Sequence, residues 1–315
     1  MIFRLQPLRF SFAALETIHF PEGKSANILR GAFGVILRRL ACMPQCTGVA
    51  SCELRVSCPY ARIFEPFAIA PGPSGLADWP RPFVFRAMHL DGRTFSASDR
   101  FHFDLNLFDV KVSVVAFLIR TFVELAHEGL GPSRRKVELI KVAQVTESGE
   151  CGPVLYETHE GEVSRDQIAA PLEFDLSSGR EGISRVRVKF IAPTELKSGP
   201  HRISQPDFGI VATRARDRIS TLRELYSDGP LTIDFRAFGE RSALVRMTRC
   251  DIRQVDVVRR SSRTGQSHAI GGFIGEAEYE GQLTEFVPYL KLARYTGIGR
   301  QTVWGKGEIA VIELP

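Results

Sequence analysis

Read along the chain, the apolar residues recur first at strand spacing and then at helical spacing, in the order β-α-β-β-α-β, and the order then repeats. It predicts an α+β protein of two tandem ferredoxin-like (RRM-like) domains, with a cysteine-rich insertion in the first. The 315 residues suit about two domains, and 44% hydrophobic content lets each half build a core. A stretch rich in charge, Ser and Gly between 160 and 182 marks the boundary, so the expected domains are 1–170 and 171–315.

In the first half, residues 3–14 read as a strand, with Pro7 suggesting an edge or irregular position. A helix over 25–40 carries Ala26, Leu29, Phe33, Ile36, Leu37 and Leu40 at helical spacing. Gly31 and Gly34 inside it cost roughly 1 kcal/mol each relative to Ala, which close packing against another backbone would explain. A proline-rich connector over 66–82 leads to a strand at Phe83–Arg86. Alternation then gives a strand at 101–108, and a helix spans 111–127, ended by Gly129-Leu130-Gly131. A fourth strand is expected at 136–146.

In the second half, Arg185, Arg187 and Lys189 alternate with Val186, Val188 and Phe190, a strand with one basic face. A helix follows over 208–226. Strands are expected near 243–258 and 272–280, a helical stretch at 283–294, and a last strand from Ile309 to Leu314. That last strand would pair beside the one carrying Arg185.

Two features of this half suggest nucleic acid. Gly297, Gly299, Gly305 and Gly307 interleave with Arg300 and Lys306 just before the last strand. Glycine lets backbone N–H groups approach a phosphate, and the cations neutralise it. The spacing fits neither a Walker loop nor a dinucleotide fingerprint, and a glycine-rich turn with two solvated cations is the plain alternative. Arg246, Arg249, Arg253, Arg259, Arg260 and Arg263 form a stripe against only Asp251 and Asp256, the footprint of a nucleic-acid groove or else a solvated basic face. The net charge of +5 is basic without being extreme.

Of six cysteines, Cys42, Cys46, Cys52 and Cys58 crowd together, while Cys151 and Cys250 stand alone. Four thiolates suit a tetrahedral structural zinc, but no Cys-x-x-Cys pair is present, so free thiols and a disulfide stay open. No apolar run approaches the ~20 residues of a membrane helix. The N-terminus lacks the long apolar core of a secretory signal, so a cytoplasmic location is expected.

Leu29-Arg30-Gly31-Ala32-Phe33-Gly34, the cysteine loop ending Cys58-Pro59-Tyr60, Phe64-Glu65-Pro66, Arg81-Pro82-Phe83-Val84, Gly271-Gly272-Phe273-Ile274-Gly275 and the terminal glycine loop occur in that order. Together they resemble the CRISPR-associated endoribonucleases that process precursor CRISPR RNA, within the RAMP superfamily. The resemblance implies tandem ferredoxin-like domains, CRISPR repeat RNA bound along the cleft between them, and the glycine loop on RNA phosphates. It implies cleavage without a catalytic metal: the 2′-OH attacks the adjacent phosphate, leaving a 2′,3′-cyclic phosphate and a 5′-OH. Other CRISPR effector-complex proteins are implied as partners.

That chemistry needs a base, an acid and cations for the phosphorane. Many members carry a histidine in or near the first helix, and helix 25–40 has none. His19 just before it, Lys24 at its start and His268 in the Arg-rich hairpin are the catalytic candidates, with Arg30 as a further cation. The RNA-binding candidates are Arg30, Gly297, Gly299, Arg300, Gly305, Lys306, Gly307, Arg185, Arg187, Lys189, Arg259, Arg260 and Arg263. His102 is expected on the surface, and His89, His127, His159 and His201 have no supporting context. Two further readings remain: a non-catalytic RAMP protein holding CRISPR RNA in an effector complex, and a zinc-stapled structural protein without an RNA role.

Overall fold

The structure, a computed structural model, describes residues 1–43, 45–46, 48–66, 79–131, 133–158, 170–177, 179, 182–199, 201–256, 258–260, 267–269 and 271–315. The side chains of 112, 258–260 and 267–269 are not described. Most of the proline-rich connector and the centre of the expected boundary therefore lie outside the described residues. The chain divides into two compact units, Arg4–Leu172 and Glu173–Pro315, with Met1–Phe3 joining the second. The terminal amine fixes that attachment, donating to Asp175 Oδ1 at 2.9 Å and Ser177 Oγ at 2.8 Å.

The first unit contains β1 (Ile2–Ala14) from Arg4 on, α1 (Ser25–Ala41), β2 (Phe83–Arg86), β3 (Arg100–Leu107), α2 (Val112–Glu128), β4 (Val137–Val145) and β5 (Cys151–Glu157). Its antiparallel sheet is ordered β2-β3-β1-β4-β5. Phenylalanine dominates the core because the inward positions of β1 and β3 pair in register, Phe10 with Phe103 and Phe12 with Phe101. Phe33 of α1 and Phe122 of α2 close over them, their rings stacked 5.2 Å apart.

Two expectations for this unit are corrected, and one strand is added. β1 is a central strand, not an edge. Pro7 is tolerated because pairing with β4 begins only at Leu8, so its missing N–H leaves no gap in that ladder. The close contact at Gly34 is with the ring of Phe64, not with a backbone, and a Cβ at Gly31 would meet open space. β5 is an added edge strand that the sequence pattern did not reveal.

The second unit contains β6 (Arg185–Thr194), α3 (Phe208–Tyr226), α4 (Phe235–Ala243), β7 (Arg246–Val255), β8 (Gly272–Glu280), α5 (Val287–Thr296) and β9 (Ile309–Glu313). Its sheet is ordered β7-β8-β6-β9, all antiparallel, and the last strand pairs with β6 as expected. Val186, Val188, Ala277 and Tyr279 line the buried face. α4 was not expected. Asp234 caps it, its Oδ1 accepting the Ala237 N–H at 2.9 Å, and that helix delays β7 to residue 246. α5 begins later than residue 283 because Pro288 occupies its first turn, where a missing N–H costs nothing. Among the described residues, no helix is long and apolar enough to cross a membrane.

Candidate nucleic-acid interface

The glycine loop closes on itself and on the end of β6. The Ile298 N–H donates to Gly307 O at 2.9 Å, the Gly307 N–H to Pro193 O at 3.1 Å and the Arg300 N–H to Glu195 O at 3.1 Å. Gly297, Gly305, Gly307 and Lys306 are buried, and Gly299 is half-buried. Gly299 and Gly307 have φ of +74° and +68°, and a Cβ would strike Glu195 O at the first and Ile298 O at the second. Backbone packing within the loop accounts for Gly307 and packing against residue 195 accounts for Gly299, and several of the loop's N–H groups already have carbonyl partners.

Arg300 is more than half exposed, and its Nη1 lies 3.2 Å from Glu195 Oε1. Arg202 Nε approaches the same oxygen at 3.3 Å. Arg202 belongs to a short hairpin, Lys197–Ser198 paired with His201–Arg202, in which Lys197, Ser198, His201 and Arg202 all have solvent access. Arg214 of α3 anchors the hairpin, donating from Nε and Nη2 to Lys197 O at 3.2 and 2.9 Å. Neither Glu195 nor Arg202 was singled out in the sequence. Glu195 falls where a strand pattern ends, and nothing local distinguishes it.

The sheet face carrying the expected basic strand is a ladder of ion pairs. In register, Arg246–Glu280–Arg185, Arg249–Glu278–Arg187 and Asp251–Glu276–Lys189 run across β7, β8 and β6. Arg187 holds Glu278 at 2.7 Å and Glu276 at 3.7 Å. Arg185 lies 3.8 Å from Glu278, and Arg246 lies 3.1 Å from Glu280. Arg249 lies 3.9 Å from Glu278 and 4.0 Å from Glu276. Glu276, Glu278 and Glu280 alternate in the sequence, a visible sign that β8 carries the counter-charge. Arg253, opposite Ile274, lies beyond the last glutamate. Arg259 and Arg260 lie on a short strand, Val258–Arg260, paired with Ser267–Ala269, which brings Arg259 opposite His268 in backbone register. Their side chains, and all of Arg263, lie outside the described residues.

In the first unit, His19 and Lys24 are exposed. His19 Nδ1 is 3.0 Å from Thr94 Oγ1, and His19 pairs with Thr94 through a two-residue bridge. α1 has no side-chain cap of its own; Asp91 Oδ1 instead accepts the Ser25 N–H at 2.9 Å and the Ser25 hydroxyl. The Arg30 guanidinium lies 4.4 Å above the Phe64 ring, a cation–π contact that holds the arginine of the Leu29–Gly34 motif half-buried. His102 is half-buried rather than fully on the surface. Its ring lies 4.8 Å from that of His89, and burial, then Arg9 and His89, lower its pKa.

The cysteine loop brings some of its thiols close together. Cys42 and Cys46 lie close enough for each to shift the other's thiol, and Cys52 adds to the shift of Cys46. Burial, then Cys46, push the Cys42 thiol up to about 11, with a smaller contribution from nearby Cys58. A backbone N–H from Gly48 is the main cause that lowers Cys46. The donors are right in kind for zinc. Among the described residues, however, no group of three or more Cys, His, Asp or Glu side chains closes around a metal position.

Residues 3–168 match a family model, AF_1859_N, described as an N-terminal domain. Residues 188–309, which include the glycine loop, match the model described as CRISPR-associated endoribonuclease Cas6. The solved structure of Thermus thermophilus Cas6 is 15% identical, with 98% of each chain covered and a TM-score of 0.54. A product complex of that Cas6 is 18% identical, covering 98% of this chain and 99% of the other, with a TM-score of 0.57. A partial Cas6-RT-Cas1–Cas2 complex is 10% identical, covering 99% of this chain and 46% of the other, with a TM-score of 0.53. At these identities the likeness is one of fold. A comparison with curated proteins finds no match.

Proposed function

From the match of residues 188–309 to the Cas6 family of CRISPR-associated endoribonucleases, we propose that this chain is a Cas6-type enzyme that cuts CRISPR repeat RNA within the precursor transcript. The observation that carries this reading is the Cas6 match over residues 188–309, with the glycine loop inside it. We read the two sheets, β2-β3-β1-β4 with β5 added and β7-β8-β6-β9, as tandem ferredoxin-like domains.

The proposed reaction needs no metal. A base takes the proton of the ribose 2′-OH, and O2′ bonds to the adjacent phosphorus. The bond from phosphorus to O5′ breaks, and an acid protonates O5′. The products are a 2′,3′-cyclic phosphate and a 5′-OH. His19, Lys24 and His268 are the proposed acid–base groups, and Arg30 and Arg300 the proposed cations for the developing charge. The His19–Thr94 contact supports His19, since a fixed Nδ1 leaves Nε2 oriented for proton transfer.

The absence of histidine from α1 favours a second reading, in which the chain binds and holds CRISPR RNA beside other CRISPR proteins without cutting it. Incubation with repeat RNA from the chain's own array, in EDTA, separates the two. Cleavage leaving a cyclic phosphate supports the enzyme. Tight binding without cleavage supports the holder, and no binding contradicts both.

For the cysteine loop we propose a structural zinc, supported by four thiols of the right chemistry and the proximity that couples Cys42, Cys46 and Cys52. Elemental analysis of protein purified without chelators tests it. One zinc per chain, lost together with α1 stability on chelation, is expected; none would end the idea.

A further inference from the structure

We infer that Glu195 is a positioning residue, holding Arg202 and Arg300 as a two-arginine clamp for a phosphodiester of the bound RNA; the inference rests on the RNA-binding reading above.

The Glu195 side chain is only 4% exposed, yet both arginines it holds are more than half exposed, at 60% and 56%. One carboxylate oxygen, Oε1, takes Arg202 Nε at 3.3 Å and Arg300 Nη1 at 3.2 Å. The other, Oε2, is buried and has no hydrogen-bond partner among the described residues. A buried carboxylate left half-satisfied costs stability, so stability does not explain its presence. What it does is bring two like charges onto one atom. The group as a whole carries one net positive charge. Each guanidinium has five N–H donors, and the pairing with Glu195 occupies one of them. The rest form a forked donor surface suited to phosphate oxygens.

The backbone serves the same arrangement. The Arg300 N–H donates to Glu195 O at 3.1 Å, and a Cβ at Gly299 would strike that oxygen. Glycine at 299 therefore lets the loop close until both the backbone and the side chain of Arg300 reach Glu195. On the other side, the Ile203 N–H donates to Leu196 O at 3.1 Å, and Arg214 pins Lys197 O. Both arms of the clamp are thus fixed at their base and open at their tips.

The test turns on a sign. Glu195→Gln removes a negative charge beside the proposed RNA surface. If Glu195 is only an electrostatic neighbour, binding tightens; if it positions the arginines, binding weakens although the protein has become more positive. With repeat RNA from the chain's own array, the expected result is roughly tenfold weaker binding. The log–log salt slope should be shallower by about 0.7 per lost phosphate contact, and the melting temperature unchanged or higher. Unchanged or tighter binding overturns the clamp. If Glu195→Gln does not fold, the cycle of Arg202→Ala, Arg300→Ala and the double variant decides. A double loss smaller than the sum of the single losses supports one clamp, and additive losses overturn it. Wild-type protein that fails to bind repeat RNA overturns the proposed function itself, and the clamp with it.

Discussion

On the sheet of the second unit, Arg185, Arg187, Arg246 and Arg249 face Glu276, Glu278 and Glu280 across the strands. At the glycine loop, Arg300 shares a single buried carboxylate with Arg202 and keeps more than half its surface in water. Both stretches are conspicuously basic in the sequence. The difference arises from register. A strand aligns each side chain with a fixed neighbour on the next strand, so alternating glutamates on β8 neutralise arginines on both flanking strands. A loop has no such ladder, and its charge depends on the one residue it docks against. A basic run in sequence is therefore not yet a basic surface.

The largest effect expected from breaking this contrast is at Gly307. Gly307→Val places a Cβ against Ile298 O at a positive φ, so the loop cannot close, and stability should fall by about 3 kcal/mol or more. Urea denaturation measures it; an unchanged midpoint would mean that the loop's packing is not required. Next, Glu276→Gln with Glu278→Gln should turn the largely paired ladder into a strongly basic face. RNA binding should tighten several-fold, with a slope steeper by about 0.7 for each phosphate newly contacted. Unaltered binding would show that this face lies away from the RNA whatever its charge. The smallest effect is a control. Gly31→Ala, in open space on α1, should add about 1 kcal/mol of stability and leave the salt slope alone.

Strand and helix periods marked most elements of both units because each has one buried face, as the alternation of Val186, Val188 and Phe190 shows. α4 escaped notice because its signal is a single cap at Asp234 followed by a short segment with two buried residues. The glycine loop was visible as a motif, but its packing was not. The reason for glycine at 299 is a carbonyl at residue 195, distant in sequence. Glu195 and Arg202 were invisible for the same reason, since a three-residue ionic contact spanning from 195 to 300 leaves no local pattern. The glutamates of β8 were legible in spacing, but their pairing needed the register.

In the proposed function, RNA phosphates meet the glycine-loop arginine Arg300 rather than the paired arginines of the sheet. Measuring repeat-RNA affinity against salt for Arg300→Ala and Arg187→Ala side by side tests it most directly. Arg300→Ala should flatten the log–log slope by about 0.7, one single-strand phosphate contact, while Arg187→Ala leaves it unchanged. A flattened slope for Arg187→Ala with none for Arg300→Ala would contradict it.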